Sequence, residues 1–156
     1  MKWWHKTEVL VDDKFRVTFP SRFKKHLPPE EKDSIVITRG IGKSLLAFSV
    51  SIWEKYAEKI ASMNYDDPDF VRKSRYMLNW AAECSFDGQG RFRIPQELMD
   101  FAGIKREVVF FGRGDKVEIW DKDTYYRDLI EDENYDKNAE NIFYKVEKEE
   151  SPEKST

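Results

Sequence analysis

With 156 residues, of which 40% are apolar, 15% aromatic and 37% charged, the chain has the composition of one folded domain or two small interlocked halves, not of a disordered or fibrous protein. No run approaches the ~20 apolar residues of a membrane span, and the opening Met1-Lys2-Trp3-Trp4-His5-Lys6 lacks the apolar stretch of a signal peptide, so a cytoplasmic protein without a membrane partner is expected. The net charge of −3 argues against nucleic acid only as an average, because residues 121–156 carry 12 Asp/Glu against 6 Lys/Arg and residues 1–25 stand at +4.

The first patterned tract is Asp12-Asp13-Lys14-Phe15-Arg16-Val17-Thr18-Phe19-Pro20. Val17 and Phe19 alternate with Arg16 and Thr18, the period of a strand with one buried face. Pro20 stops that strand and suits the first turn of a short helix, predicted at 23–27. Two strands at 35–37 and 45–48 then flank a glycine-bearing turn at 39–43. Ser51-x-x-Glu54 has the capping-box spacing, and Trp53, Tyr56, Ala57, Ile60 and Met63 form one helical face. Asp67-Pro68 predicts a further helix carrying Phe70, Val71, Met77 and Leu78.

From Asp87 the order repeats. Asp87-Gly88-Gln89-Gly90-Arg91-Phe92-Arg93-Ile94-Pro95 lies 75 residues after the first tract and shares its Asp-x-x-x-Arg-apolar-x-apolar-Pro pattern. A helix at 96–102, strands at 108–111 and 117–120 around a turn at 112–116, and a helix capped by Asp121 or Asp123 and carrying Tyr126 and Leu129 follow. Beyond about Glu133 the chain turns polar, and a frayed acidic tail is expected. The predicted organisation is a first unit with its helix at 6–60, a linking helix at 61–81, a second unit at 82–132 and a disordered tail at 133–156.

Two copies of one small β unit predict an α+β fold. Their pseudo-twofold pairing closes a small barrel with flanking helices and removes open sheet edges. It also brings both Asp-x-x-x-Arg turns to one end. Trp3, Trp4, Trp53, Trp80 and Trp120 exceed what such a core needs and read equally as core or as contact between subunits.

The turns suggest a chemistry. Asp12 and Asp87 accept backbone N–H groups across their own turns and hold the following arginine in a fixed pose, with Gly90 easing the second turn. A pre-organised guanidinium matches guanine O6 and N7, or a phosphate, whereas Lys14 is a point charge suited to phosphate. Arg16 is therefore assigned to base or phosphate, Lys14 to phosphate, and Arg91 and Arg93 to further DNA contact. The same Asp-Arg pairs also read as ordinary turn ion pairs, and the residues alone leave both readings open. A ring of subunits in one rotational sense would meet direct repeats, whereas a lone twofold dimer meets palindromes.

Other classes find less support. The single cysteine, Cys84, and two distant histidines, His5 and His26, give no disulfide, no zinc spacing and no nucleophile-and-base pair. Cys84, among apolar neighbours, reads as a buried structural thiol. No enzyme activity, metal or cofactor is expected. A ring-forming scaffold without DNA binding is the alternative.

The first tract, with Ala82-Glu83-Cys84-Ser85-Phe86-Asp87-Gly88-Gln89-Gly90-Arg91, Gly103-Ile104-Lys105-Arg106-Glu107-Val108-Val109 and Val117-Glu118-Ile119-Trp120, resembles the MraZ family of bacterial transcriptional regulators. The likeness runs in order from about Val9 to Ile130. It implies two SpoVT/AbrB-like units per chain and a homo-oligomeric ring. It also implies binding to short direct repeats in double-stranded DNA upstream of its own operon, the division and cell-wall gene cluster. The usual outcome is repression, and the location the cytoplasm over the nucleoid. Phe15 stands where the family usually has glycine, so that turn is either strained or of another type. Gly88 stands where lysine is frequent.

Overall fold

In the computed structural model, which describes residues 2–129 and 133–150, each Pro-terminated tract forms a short strand followed by a helix. The first half comprises β1 (Lys6–Leu10), β2 (Arg16–Thr18), α1 (Ser21–Lys24), a 3-10 turn at Pro29–Glu31, β3 (Ser34–Arg39), β4 (Leu45–Phe48) and α2 (Val50–Ser62). After α3 (Pro68–Leu78), the second half repeats the order with β5 (Ala82–Ser85), β6 (Arg91–Arg93), α4 (Gln96–Ala102), β7 (Glu107–Gly112), β8 (Val117–Asp121) and α5 (Lys122–Asp128). A last helix, α6, spans Tyr135–Glu149. Among the described residues no helix is long and apolar enough to cross a membrane.

Six strands form one antiparallel sheet in the order β1-β7-β8-β4-β3-β5, and β2 pairs with β6 in a separate ribbon. Replacing every strand by its counterpart in the other half reverses that order and leaves it unchanged. β1 hydrogen-bonds to β7, and β5 to β3, so each half lends its first strand to the other. The expected small barrel is not closed. β1 and β5 stand at opposite edges, and β2 and β6, which would have to bridge them, direct their hydrogen bonds to each other.

The core lies between the sheet and the ribbon. Ile35, Ile37, Leu45, Val108, Phe110 and Ile119 from the sheet meet Val17 and Phe92 from the ribbon and Phe19 and Ile94 just after its strands, all 0–2% exposed. Phe19 is central, with edge-on neighbours Trp3, Phe92 and Phe110 at 5.8–6.2 Å, the favoured geometry for aromatic pairs. Trp3 is fully buried, and its indole N–H donates to the Phe23 carbonyl at 2.7 Å, satisfying its one polar atom. Its backbone exchanges hydrogen bonds with Gly114 at the tip of the β7–β8 hairpin. Gly112 permits this approach, because a Cβ there would lie 2.6 Å from the Trp3 and Trp4 backbone. Trp3 and Trp120 thus serve the core, while Trp4 is 57% exposed.

Several local expectations change. Ser49, not Ser51, caps α2 by accepting from the Ile52 N–H, and the Ser51 N–H donates to Glu31 from the 3-10 turn. The two prolines before Glu31 fold that turn and bring its carboxylate to the helix start, where the dipole favours an anion. The α1 helix is the single turn Ser21–Lys24 instead of 23–27. In place of a frayed tail from 133, Tyr135, Ala139, Ile142, Phe143 and Val146 recur at three- and four-residue spacing along α6. The final part of that expected tail, 151–156, lies outside the described residues. Asp67 caps α3 and Asp121 caps α5. Cys84 is buried, and burial pushes its thiol up to about 11.

Candidate functional site

The two Asp-x-x-x-Arg tracts fold into the same turn. Asp12 Oδ1 accepts from the Lys14 and Arg16 backbone N–H groups at 2.9 and 2.8 Å, and Oδ2 accepts from Arg16 Nε at 2.8 Å. Asp87 repeats this with the Gln89 and Arg91 N–H groups at 2.9 Å each and with Arg91 Nε at 2.8 Å. Each loop is closed by the N–H of Phe15 or Gly90 donating to the aspartate carbonyl at 3.0 Å. The Arg16 backbone N–H, then its guanidinium, lower the Asp12 carboxyl below the usual range. The Arg91 N–H groups do the same to Asp87, lowering it to about 2. Both carboxylates are therefore charged at neutral pH.

Pairing of β2 with β6 joins the turns. Val17 sits opposite Phe92, its own counterpart in the repeat, with Arg16 opposite Arg93 and Thr18 opposite Arg91. Side chains alternate faces along a strand, so Val17 and Phe92 enter the core while Arg16, Thr18, Arg91 and Arg93 share the outer face. Each guanidinium also approaches the other half's aspartate. Arg16 Nη1 is 4.0 Å from Asp87 Oδ2, and Arg91 Nη1 is 4.0 Å from Asp12 Oδ2. Two cations and two anions thus form a crossed square with no net charge. It fixes the direction of the two guanidiniums, and the local positive field comes from other residues.

Lys14 and Arg93 are exposed beside the square. Lys24 from α1 reaches the second turn, its Nζ 3.3 Å from where a Cβ on Gly90 would sit and 4.8 Å from the Phe86 ring centroid. On α1, the turn after it and the N-terminal segment, Lys2, Trp4, His5, Arg22, Lys25 and His26 line a shallow hollow of about 470 Å³. No acid lines it, and among the described residues these five basic side chains have no ion pair or hydrogen bond. The counterpart helix α4 instead carries Glu97 and Asp100. The excess charge of residues 1–25 is visible in the sequence but this grouping is not, and its one sequence signal is the contrast between the basic 22–26 and the acidic 97–100.

Phe15 and Gly90 occupy equivalent turn positions at φ 62° and 75°. The glycine adopts this left-handed conformation freely, whereas for phenylalanine it costs about 1–2 kcal/mol. The turn type is kept and the strain accepted. All seven residues singled out in the sequence, Asp12, Lys14, Arg16, Asp87, Gly90, Arg91 and Arg93, lie on the ribbon or its two turns.

Such a surface presents planar, pre-aimed donors on a two-stranded ribbon, a shape that the ~12 Å major groove of B-form DNA admits. The MraZ protein family model, described as antitoxin-like, matches residues 4–75 and 77–145. The chain is 36% identical over 114 residues to the transcriptional regulator MraZ of Methylococcus capsulatus, covering 73% of this chain and 75% of the relative. It is 32% identical over 139 residues to that of Natranaerobius thermophilus, covering 89% and 90%. To that of Acetivibrio thermocellus it is 35% identical over 136 residues, covering 87% and 90%.

Proposed function

The chain belongs to the MraZ family, and from that premise we propose that it is a DNA-binding transcriptional regulator whose β2–β6 ribbon enters the major groove. MraZ proteins are transcriptional regulators and not enzymes. One observation carries the DNA assignment: two arginines from separate halves, each tied at Nε to its own aspartate, share the outer face of one short ribbon. With Nε held, the Nη edge of each fork is the part left to meet guanine O6 and N7 or a phosphate. Asp12, Asp87 and Gly90 organise the turns. Arg16 and Arg91 read bases or phosphates, and Lys14 and Arg93 neutralise phosphates on either side.

The two halves act as SpoVT/AbrB-like units, and the chain assembles into a ring that meets direct repeats upstream of its own operon. It represses the division and cell-wall genes there, as a cytoplasmic protein over the nucleoid. Support for assembly comes from apolar side chains exposed on and between α2 and α3, notably Tyr65 at 73%, Tyr76 at 60% and Met77 at 54%. Individually weak contacts would gain strength when several subunits engage one duplex.

Gel-shift titration against the DNA upstream of the chain's own gene tests this reading. Binding is expected to weaken steeply with salt and to be largely lost in Arg16→Ala with folding intact. A stable ring that ignores DNA at low salt would point to a scaffold instead.

A further inference from the structure

The two turns differ at Asp13/Gly88, Lys14/Gln89 and Phe15/Gly90, and the last difference places a side chain where the backbone favours none. Gly90 closes the second turn with no side chain, whereas the first carries a phenyl ring at the same left-handed position. Phe15 is 53% exposed, and among the described residues its ring stacks on no other ring and lies under no cation. A strained backbone and a half-exposed apolar ring contribute little to the free chain. Strain of this kind is kept where a function requires the side chain. Phe15 lies between Lys14 and Arg16 in the turn, so a surface that meets both cations comes within reach of the ring.

We propose that Phe15 contacts the C5-methyl group of a thymine beside the base that Arg16 meets, which rests on the DNA-binding reading above. In the major groove the thymine methyl is the apolar feature that distinguishes one base pair from another, and a phenyl ring is among the side chains that match it. Strand pairing makes the ribbon nearly self-symmetric, with Val17 opposite its own counterpart. A ribbon of that kind reads a site equally well in either direction. Phe15 against Gly90, with Lys14 against Gln89 and Thr18 against Arg93, gives it a polarity, so that each subunit docks in one orientation. Direct repeats, as opposed to inverted ones, need such a polarity.

The test starts from duplexes selected out of a randomised pool by the full-length chain and, separately, by Phe15→Gly. The left-handed position suits glycine, so this variant keeps the turn. Each enriched thymine is then replaced by deoxyuridine, which removes only the methyl group. The full-length chain is expected to lose roughly fourfold in affinity at one thymine, the value of one buried methyl or methylene. Phe15→Gly should bind the thymine and uridine duplexes alike, should enrich no base at that position, and should still depend on Arg16. Indifference of the full-length chain to every uridine, or an equal loss in Phe15→Gly, overturns the proposal. So does a change in oligomeric state with base preferences intact, which would make the ring a subunit contact. If the full-length chain enriches no sequence at all, the DNA-binding reading itself fails and this proposal goes with it. If enrichment depends on Arg16 but not on Phe15, only the proposal fails.

Discussion

Arg16→Ala and Arg16→Lys together separate the contribution of a pre-aimed fork from that of charge. A bidentate guanidinium on a base is worth about 1–3 kcal/mol of discrimination, which corresponds to roughly 5- to 150-fold in affinity for the preferred duplex. If Arg16 also neutralises a phosphate, the salt dependence of log K should fall by about 0.9. The crossed square adds a sign. Removing Arg16 leaves Arg91 facing two carboxylates, Asp12 and Asp87, and the surplus negative charge repels the DNA backbone. Asp12→Asn retains an oxygen to accept from the Lys14 and Arg16 N–H groups while removing the charge. The double variant Asp12→Asn/Arg16→Ala should therefore bind better than Arg16→Ala alone. Arg16→Lys should fall between wild type and Ala, since it keeps the charge and loses the fork. Fluorescence anisotropy on a selected and a scrambled duplex, each across a salt series, reads all of these. Thermal unfolding should change by no more than an exposed ion pair's worth. The reasoning is refuted if Arg16→Ala weakens both duplexes equally, which would leave only phosphate attraction. Failure of the double variant to recover any affinity would refute the electrostatic part.

Three further outcomes follow from other parts of the molecule. Trp3→Ala removes a fully buried indole and its bond to Phe23, and should destabilise the fold by about 3–5 kcal/mol in urea titration. Retention of the wild-type midpoint would show that the N-terminal segment is not anchored in solution. Asp87 is depressed from an ordinary 3.8 to about 2, so its contribution is fully present above 3.8 and is lost as the pH falls towards 2. Acid unfolding of Asp87→Asn should consequently show a shallower loss of stability over that window than wild type, and an identical profile would contradict the turn geometry. Arg22→Gln/Lys25→Gln removes two unpaired cations from the hollow beside α1. If both face flanking phosphates, the salt slope drops by about 1.8 with base preference unchanged, and an unchanged slope assigns them to plain solvent.

Much of this architecture was legible because the repeat carries redundant signals. Period-two alternation, a terminating proline and an aspartate four residues before each arginine recur at one spacing, and together they locate β2, β6 and both turns. What stayed hidden depends on partners remote in sequence. No local pattern tells that β1 pairs with β7, or that the β2–β6 ribbon stands apart and leaves the sheet open instead of closing a barrel. The capping-box spacing points to Ser51, two residues past the actual cap, because Ser49 and Ser51 are both competent caps. The choice was made by Glu31, which lies 20 residues upstream of Ser51 and takes the N–H that Ser51 exposes. At the candidate site, Phe15 departs from the family's usual glycine. The surrounding hydrogen bonds from Asp12 hold it in the glycine conformation all the same. The basic hollow needed the structure, since Lys2 and His5 come together with Arg22, Lys25 and His26 only through the burial of Trp3.

The exchange of first strands between halves bears on how the chain tolerates being cut. A protease nick or a split gene within 63–67, between α2 and α3, would sever the covalent link while leaving the β1–β7, β5–β3, β4–β8 and β2–β6 pairings to hold the fragments. The two pieces should co-purify as a non-covalent heterodimer. A single half produced alone should seek a second copy of itself, the arrangement expected of an ancestral homodimer before its gene was duplicated and fused.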